Sequence, residues 1–291
     1  MDDTRRAAAM VLAAMGIIGF IDQFVVLIAQ GTSLWTFHVL RSAMMWALAL
    51  GWLAWRGRGV RIVSLPRIAA RAAFMATGMV VYFGALGFMP VAQAAAGLFT
   101  APIWVLLYSA LLFGHRVGIV RILAVLAGFG GVLLVLSPDP ATLRWAAVVP
   151  VAAGVFYGMA AILTREWCAA EDPVALALGV FAALAAYGVA AMVLLPAGGT
   201  GFLDRGWVPP DAGVWGWIAV QAIGSLVAVV LLTRAYQTAE TARVAVVEYS
   251  VLGYSVLFGW LIWAEGPGAV GLAGLAMIVA SGAVVTLRAD R

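Results

Sequence analysis

The sequence predicts an all-α integral membrane fold of ten transmembrane helices, and three observations carry that prediction. Hydrophobic residues make up 65% of the 291 residues and charged residues only 10%, with mean hydropathy +1.06. The apolar residues gather into ten runs, each near the ~20 residues that a helix needs to cross a bilayer. All 17 basic residues are arginine, and they fall mostly between the runs. A soluble domain of this size carries more charge, because its outer face must be solvated. Ten spans consume ~200 residues, which leaves short loops and one membrane domain. The net charge of +4 therefore reads as membrane topology and not as a nucleic-acid surface. Cys168 stands alone, so neither an intramolecular disulfide nor a cysteine metal cluster is expected.

The spans are predicted near 7–29, 35–55, 69–88, 91–113, 118–136, 145–167, 173–195, 212–235, 242–263 and 267–287. The charged start from Met1 to Arg6 lacks a small-residue cleavage site and is read as leading into a retained first helix. Turn residues support the breaks: Gly31-Thr32-Ser33, Gly57-Arg58-Gly59, Met89-Pro90, Ser137-Pro138-Asp139-Pro140, Gly198-Gly199, Pro209-Pro210 and Gly266-Pro267-Gly268. Tryptophans such as Trp35, Trp55, Trp145, Trp207 and Trp263 fall near span ends, as an interfacial belt requires. With both ends cytoplasmic, fourteen arginines lie inside, most of the bias coming from the loop Trp55 to Arg71; only Arg144 and Arg205 lie outside, and Arg41 lies within a span. That asymmetry orients the chain in the cytoplasmic membrane.

Five spans in each half, residues 1–140 and 141–291, would set the second half upside down relative to the first, as in many secondary transporters. An internal echo at an offset of 150 agrees: Ala85/Ala235, Ala92/Ala242, Ala95/Ala245, Leu107/Leu257, Leu111/Leu261 and Gly118/Gly268, with the aromatic pairs Phe99/Tyr249 and Trp104/Tyr254. The stretch Tyr82-Phe83-Gly84-Ala85-Leu86, Pro102 within a helix, Phe113-Gly114-His115-Arg116 and the glycine-rich span Gly128–Leu136 resemble the half-unit of the drug/metabolite transporter superfamily. The second half is similar in Arg234-Ala235-Tyr236 and Trp263-Ala264-Glu265. Two positions depart from the pattern: His115 stands where the first unit usually has Glu, and Leu252 where the second often has Pro. Within the superfamily the chain looks most like bacterial aromatic amino-acid exporters, which implies export through a central cavity.

A charge in the hydrocarbon region costs ~2.5–3.5 kcal/mol on insertion scales, so each one calls for a reason. Asp22 and Arg41 flank the turn at Thr32 and lie ~14 Å from it, at one depth. They could form an ion pair, with His38 one turn from Arg41, serving either as a charged gate or zwitterion site or as a structural lock. Glu248 could bind a proton or a substrate amine, or be hydrogen-bonded within the bundle. Gln23, Gln93 and Gln221 are neutral polar groups suited to bonds between helices. The resemblance implies that Tyr82, Phe83, Phe99, Trp104, Tyr108, Tyr157, Tyr249 and Tyr254 surround the cavity. Phe74, Gly78 and Tyr82 share one helical face, as do Thr100, Trp104 and Tyr108. Each aromatic has ordinary packing or lipid contact as its alternative; together they favour aromatic or large apolar cargo. Pro102 is expected to free a carbonyl and permit a kink. Gly128, Gly131, Gly271, Gly274 and Ser281-Gly282 form small faces for close helix packing.

The function expected is a secondary transporter exporting aromatic or large neutral amino acids by alternating access. The alternatives are a multidrug or other metabolite exporter of the same fold, or a passive channel. An ATP-driven pump would need a Gly-x-x-x-x-Gly-Lys loop, and an intramembrane zinc protease a His-Glu-x-x-His pattern; the sequence has neither. The partners expected are a small-molecule cargo and the lipid bilayer, with no nucleic acid, cofactor or metal. The working unit is expected to be a monomer, with self-association left open.

Overall fold

The computed structural model describes residues 3–85, 91–137, 148–195, 199, 201–264 and 266–287, with only the backbone of 91–93. The described residues form helices and no strand, and ten helical segments are long and apolar enough to span a membrane. They are the first span Thr4–Gly31, second Leu34–Trp55, third Leu65–Ala85, fourth Ala94–Leu111, fifth Ile119–Leu136, sixth Val148–Glu166, seventh Pro173–Leu194, eighth Ala212–Thr238, ninth Thr241–Trp263 and tenth Ala269–Leu287. With ten spans, the start of the first and the end of the tenth lie on one face, called the terminal face below. The predicted turns at Met89-Pro90, Pro138-Asp139-Pro140 and Gly198, with Leu86, Arg144, Trp145, Glu265, Arg288, Arg291 and the side chain of Gln93, lie outside the described residues.

Local chemistry sets several ends. Ser33 caps the second span by accepting from Thr36 N–H at 3.1 Å, while Asp172 and Asp211 accept from Val174 and Val214 N–H. The third span begins at Leu65, four residues before the expected start at 69, with Pro66 in its first turn. The carboxylate of Glu171 accepts the N–H groups of Val63 and Ser64 at 2.8 and 2.7 Å just ahead of it.

Three spans are broken. The first passes through a 3-10 turn at Asp22–Phe24, the fourth breaks at Phe99-Thr100, and the ninth breaks at Tyr249. The fourth breaks where Pro102, which has no N–H, opens the new helix Ala101–Leu111.

Packing comes in matched couples. The third span packs on the sixth and the first on the eighth; the fourth on the sixth and the first on the ninth; the third on the seventh and the second on the eighth. The second meets the seventh, and the fifth meets the tenth. The last contact is made by glycine: a Cβ on Gly131 would stand 2.6 Å from the carbonyl oxygen of Gly274, and one on Gly128 2.9 Å from Ser281 Oγ and 2.7 Å from the Tyr249 ring of the ninth span. Gly271 and Gly282 take no part, since a Cβ on Gly282 would meet open space and one on Gly271 only Pro267 of its own segment.

Gly131→Val should therefore cost about 1–3 kcal/mol by overpacking. A clear drop in melting temperature in detergent is expected, with Gly282→Val near the parent protein. Equal melting of the two variants would contradict this interface.

Candidate functional site

The site is a cavity at the centre of the bundle, with about 230 Å³ open to the centre of a water molecule. Single helical faces build it. The third span contributes Arg71, Met75, Met79 and Tyr82, at spacings of four, four and three. The eighth contributes Gln221, Ser225, Val229, Leu232 and Tyr236. Met15, Ile18 and Asp22 come from the first, and Val180, Phe181 and Leu184 from the seventh. At the offset of 150, lining residues fall on lining residues: Arg71 on Gln221, Met75 on Ser225, Met79 on Val229 and Tyr82 on Leu232. Leu98, Phe99 and Ala101 fall likewise on Glu248, Tyr249 and Val251.

Phe99 and Tyr249 are in contact. Their rings meet edge to face at 6.2 Å, and the Tyr249 hydroxyl donates to the Phe99 carbonyl at 3.1 Å. That carbonyl needs a donor, because Ile103 N–H turns to Thr100 instead. The breaks in the fourth and ninth spans therefore satisfy each other.

Two acidic and two basic side chains line the cavity, and the partners of each are neutral. Arg71, 2% exposed, donates from Nε to Thr164 Oγ1 at 2.9 Å and from its terminal nitrogens to the Leu176 carbonyl and Thr233 Oγ1. Glu248 accepts from the Tyr157 hydroxyl at 3.2 Å, while the buried Tyr236 hydroxyl faces the same carboxylate without a well-formed bond. Towards the other end, Arg41 donates to His38 Nδ1 at 3.2 Å and lies over the Phe37 and Phe181 rings. Asp22 is exposed to the cavity deep within the bundle and faces Gln221, whose amide donates to the Ile21 carbonyl. No described carboxylate lies within 4.0 Å of Arg41 or Arg71. The expected Asp22–Arg41 ion pair is thus a pair of groups lining one cavity without direct contact.

Of the aromatic candidates, Tyr82, Phe83, Phe99, Tyr157 and Tyr249 line the cavity, together with Glu248. Trp104, Tyr108 and Tyr254 lie outside it. Thr100, Trp104 and Tyr108 do share a face, joined by a bond from Trp104 Nε1 to Thr100 Oγ1, but that face packs on the sixth span. There a Cβ on Gly158 would stand 3.0 Å from that of Trp104, and Tyr108 donates to the Val155 carbonyl. Tyr254 fills the notch over Gly16 and Gly19 of the first span. Gln23 ties that span to the ninth by donating to the Ser255 carbonyl, the interhelical role expected of it. His38 is fully buried beside Arg41, edge-on to Phe83. His115 pairs with Glu166 at 3.0 Å, so a carboxylate stands by the departing position after all.

Arg71 is the residue that sequence reasoning missed. It was grouped with loop arginines, yet it stands about 9 Å into the third span. Pro66 at the helix start, and the Arg71, Met75, Met79, Tyr82 spacing, were the signals that pointed to it.

The two faces are closed differently. At the terminal face Ala101–Leu111 packs on Thr241–Glu248, Arg165 donates to the Ala239 carbonyl, and Arg121 pairs with Glu240. Gln237 donates to the Cys168 and Glu171 carbonyls there. Cys168 is fully buried in this seal, and burial pushes its thiol pKa up, with the Arg71 charge opposing. Towards the opposite face, Val91–Leu98 and Ser250–Trp263 make no comparable contact. The turn between the first two spans is strapped to segment 201–208 there, with Thr32 and Ser33 donating to the Val208 and Gly206 carbonyls at 2.6 Å.

No family model matches the chain. It is 30% identical over 216 residues to the pseudopaline exporter of Pseudomonas aeruginosa, covering 74% of this chain and 72% of that one. It is 28% identical over 211 residues to the riboflavin transporter of Rhizobium johnstonii, covering 72% and 67%. An uncharacterized transporter of Helicobacter pylori matches at 24% over 286 residues, 97% of this chain and 94% of that one. A solved crystal structure superposes with TM-score 0.82 over 98% of each chain at 19% identity, a likeness of fold alone. The ten spans around a charged cavity, together with these relatives, define a secondary transporter of metabolites and not an enzyme. The chain belongs to the drug/metabolite transporter family.

Tyr249→Phe keeps the ring against Gly128 but strips the Phe99 carbonyl of its donor, which should cost about 1–3 kcal/mol. Tyr108→Phe removes a bond to a carbonyl within a continuous helix and should cost less. Thermal unfolding in detergent compares them, and a Tyr249→Phe protein as stable as Tyr108→Phe would contradict this role.

Proposed function

We propose that the chain exports amino acids, aromatic or large neutral ones, by alternating access between two inverted five-helix repeats, residues 1–140 and 141–291. The observation that carries the reading is a cavity with aromatic walls holding two carboxylates and two guanidinium groups, none in a salt bridge with another. Such a site has no net charge of its own when all four groups are ionised, and it offers both signs to a zwitterion. Support for the repeats comes from the offset of 150 that maps lining residues onto lining residues, and from the matched packing couples.

With the arginine-rich face taken as cytoplasmic, the chain sits in the bacterial inner membrane with both ends inside. The sealed terminal face is then the inner one, and this conformation faces outward. A second reading, transport of another metabolite, is favoured by relatives named for riboflavin and pseudopaline.

Counterflow in proteoliposomes decides between them, using phenylalanine, tryptophan, alanine, riboflavin and a sugar. Exchange of the aromatic amino acids is expected; exchange of riboflavin alone would select the second reading, and linear flux without counterflow would mean a channel. Tyr82→Ala should impair tryptophan more than alanine, whereas Trp104→Ala, outside the cavity, should lower both alike. A cargo that drives opening of the terminal face should also speed modification of Cys168 by N-ethylmaleimide several-fold. An unchanged rate under turnover would count against opening there.

A further inference from the structure

The pseudo-symmetric cavity has chemically different ends. At the position that holds Arg71 in the third span, the eighth span holds Gln221. A neutral amide meets the needs of that site in one repeat, so packing alone does not call for a cation in the other. The Arg71 guanidinium is buried, uses three nitrogen donors on neutral acceptors, and keeps two of its five N–H groups. No described carboxylate balances its charge within 4.0 Å. A second polar group stands at the same end: the Tyr236 hydroxyl lines the cavity, is 2% exposed as a residue and faces the Glu248 carboxylate without a well-formed hydrogen bond. Glu248 completes the set, accepting from Tyr157 and standing beside the Tyr236 hydroxyl.

We propose that Arg71, Tyr236 and Glu248 form a head-group site for an α-amino acid, with the cargo carboxylate on Arg71 and the Tyr236 hydroxyl and its ammonium on Glu248. A guanidinium matches a carboxylate with paired N–H donors, and a buried charge that lacks a counter-ion gains most from one. The cargo enters head first, towards the sealed terminal face. Its side chain is left among Met75, Met79, Phe99 and Leu232, the apolar residues that line the same cavity. Arg41 is the poorer anion site, because its charge is already covered by the Phe37 and Phe181 rings. This assignment deepens the amino-acid reading above and rests on it.

The test compares phenylalanine with phenylalaninamide, which lacks the carboxylate, and N-acetylphenylalanine, which lacks the ammonium, in proteoliposome uptake competition. The parent protein should prefer phenylalanine over both by about tenfold or more. Arg71→Gln and Tyr236→Phe should erase most of the preference over the amide, Arg71→Lys should restore part of it, and Glu248→Gln should erase the preference over the N-acetyl compound. Tyr236→Phe removes one oxygen atom and guards against reading misfolding as lost recognition. If the parent protein carries no phenylalanine, the amino-acid reading falls and the head-group site with it. If it carries phenylalanine and discriminates against the amide, but Arg71→Gln and Tyr236→Phe discriminate equally well, the head-group site alone is overturned.

Discussion

A helix broken inside a bilayer exposes backbone groups that lipid cannot satisfy, and each one left bare costs several kcal/mol. The cavity of this protein depends on how that constraint is met. The fourth and ninth spans break at Phe99-Thr100 and at Tyr249, and the Tyr249 hydroxyl supplies the donor that the Phe99 carbonyl lacks. Breaks elsewhere would need water or other side chains; here one bond couples the two. The Tyr249 ring can reach that point only because Gly128 leaves room for it. Glycine packing between the fifth and tenth spans thus supports the site from behind.

The charges obey the same rule in another form. A buried ion is tolerated when its remaining donors or lone pairs are met, and direct salt bridges in such places are costly to assemble. This chain meets the ions in part: Arg71 with two threonine hydroxyls and a carbonyl, Glu248 with tyrosine, and Arg41 with a histidine and two aromatic faces, its Nε left without a partner. Neutral partners hold each ion in place without spending its charge, so the charge stays available to a ligand.

Much of the fold was legible in the sequence, because hydropathy and turn residues report directly on where a chain can cross lipid. The predicted spans and the structural ones share most of their length, and the break at Pro102 follows from a missing N–H. The site was only partly legible, since periodicity tells which residues share a face but not what that face meets. Thr100, Trp104 and Tyr108 share a face as expected, yet Gly154 and Gly158 draw the sixth span against it. The fourth span lines the cavity with Leu98, Phe99, Ala101 and Pro102 instead. Arg71 is obscured differently: a span predicted to start at 69 places it in the first turn, where it reads as a charge at the cytoplasmic end, whereas the helix begins at Leu65.

The Arg71 and Gln221 correspondence bears on the energetics of a two-sided carrier. On the proposed repeat, matching backbones give the inward-open and outward-open shapes similar intrinsic stability, so that architecture favours neither doorway. Unequal chemistry at the two ends lets a ligand weigh the shapes differently, and a ligand shifts such an equilibrium only by its difference in affinity. That difference sets how long cargo dwells on each side and which concentrations saturate each doorway. It cannot make cargo accumulate, because over a full cycle the gains and losses cancel; net flow still follows a gradient.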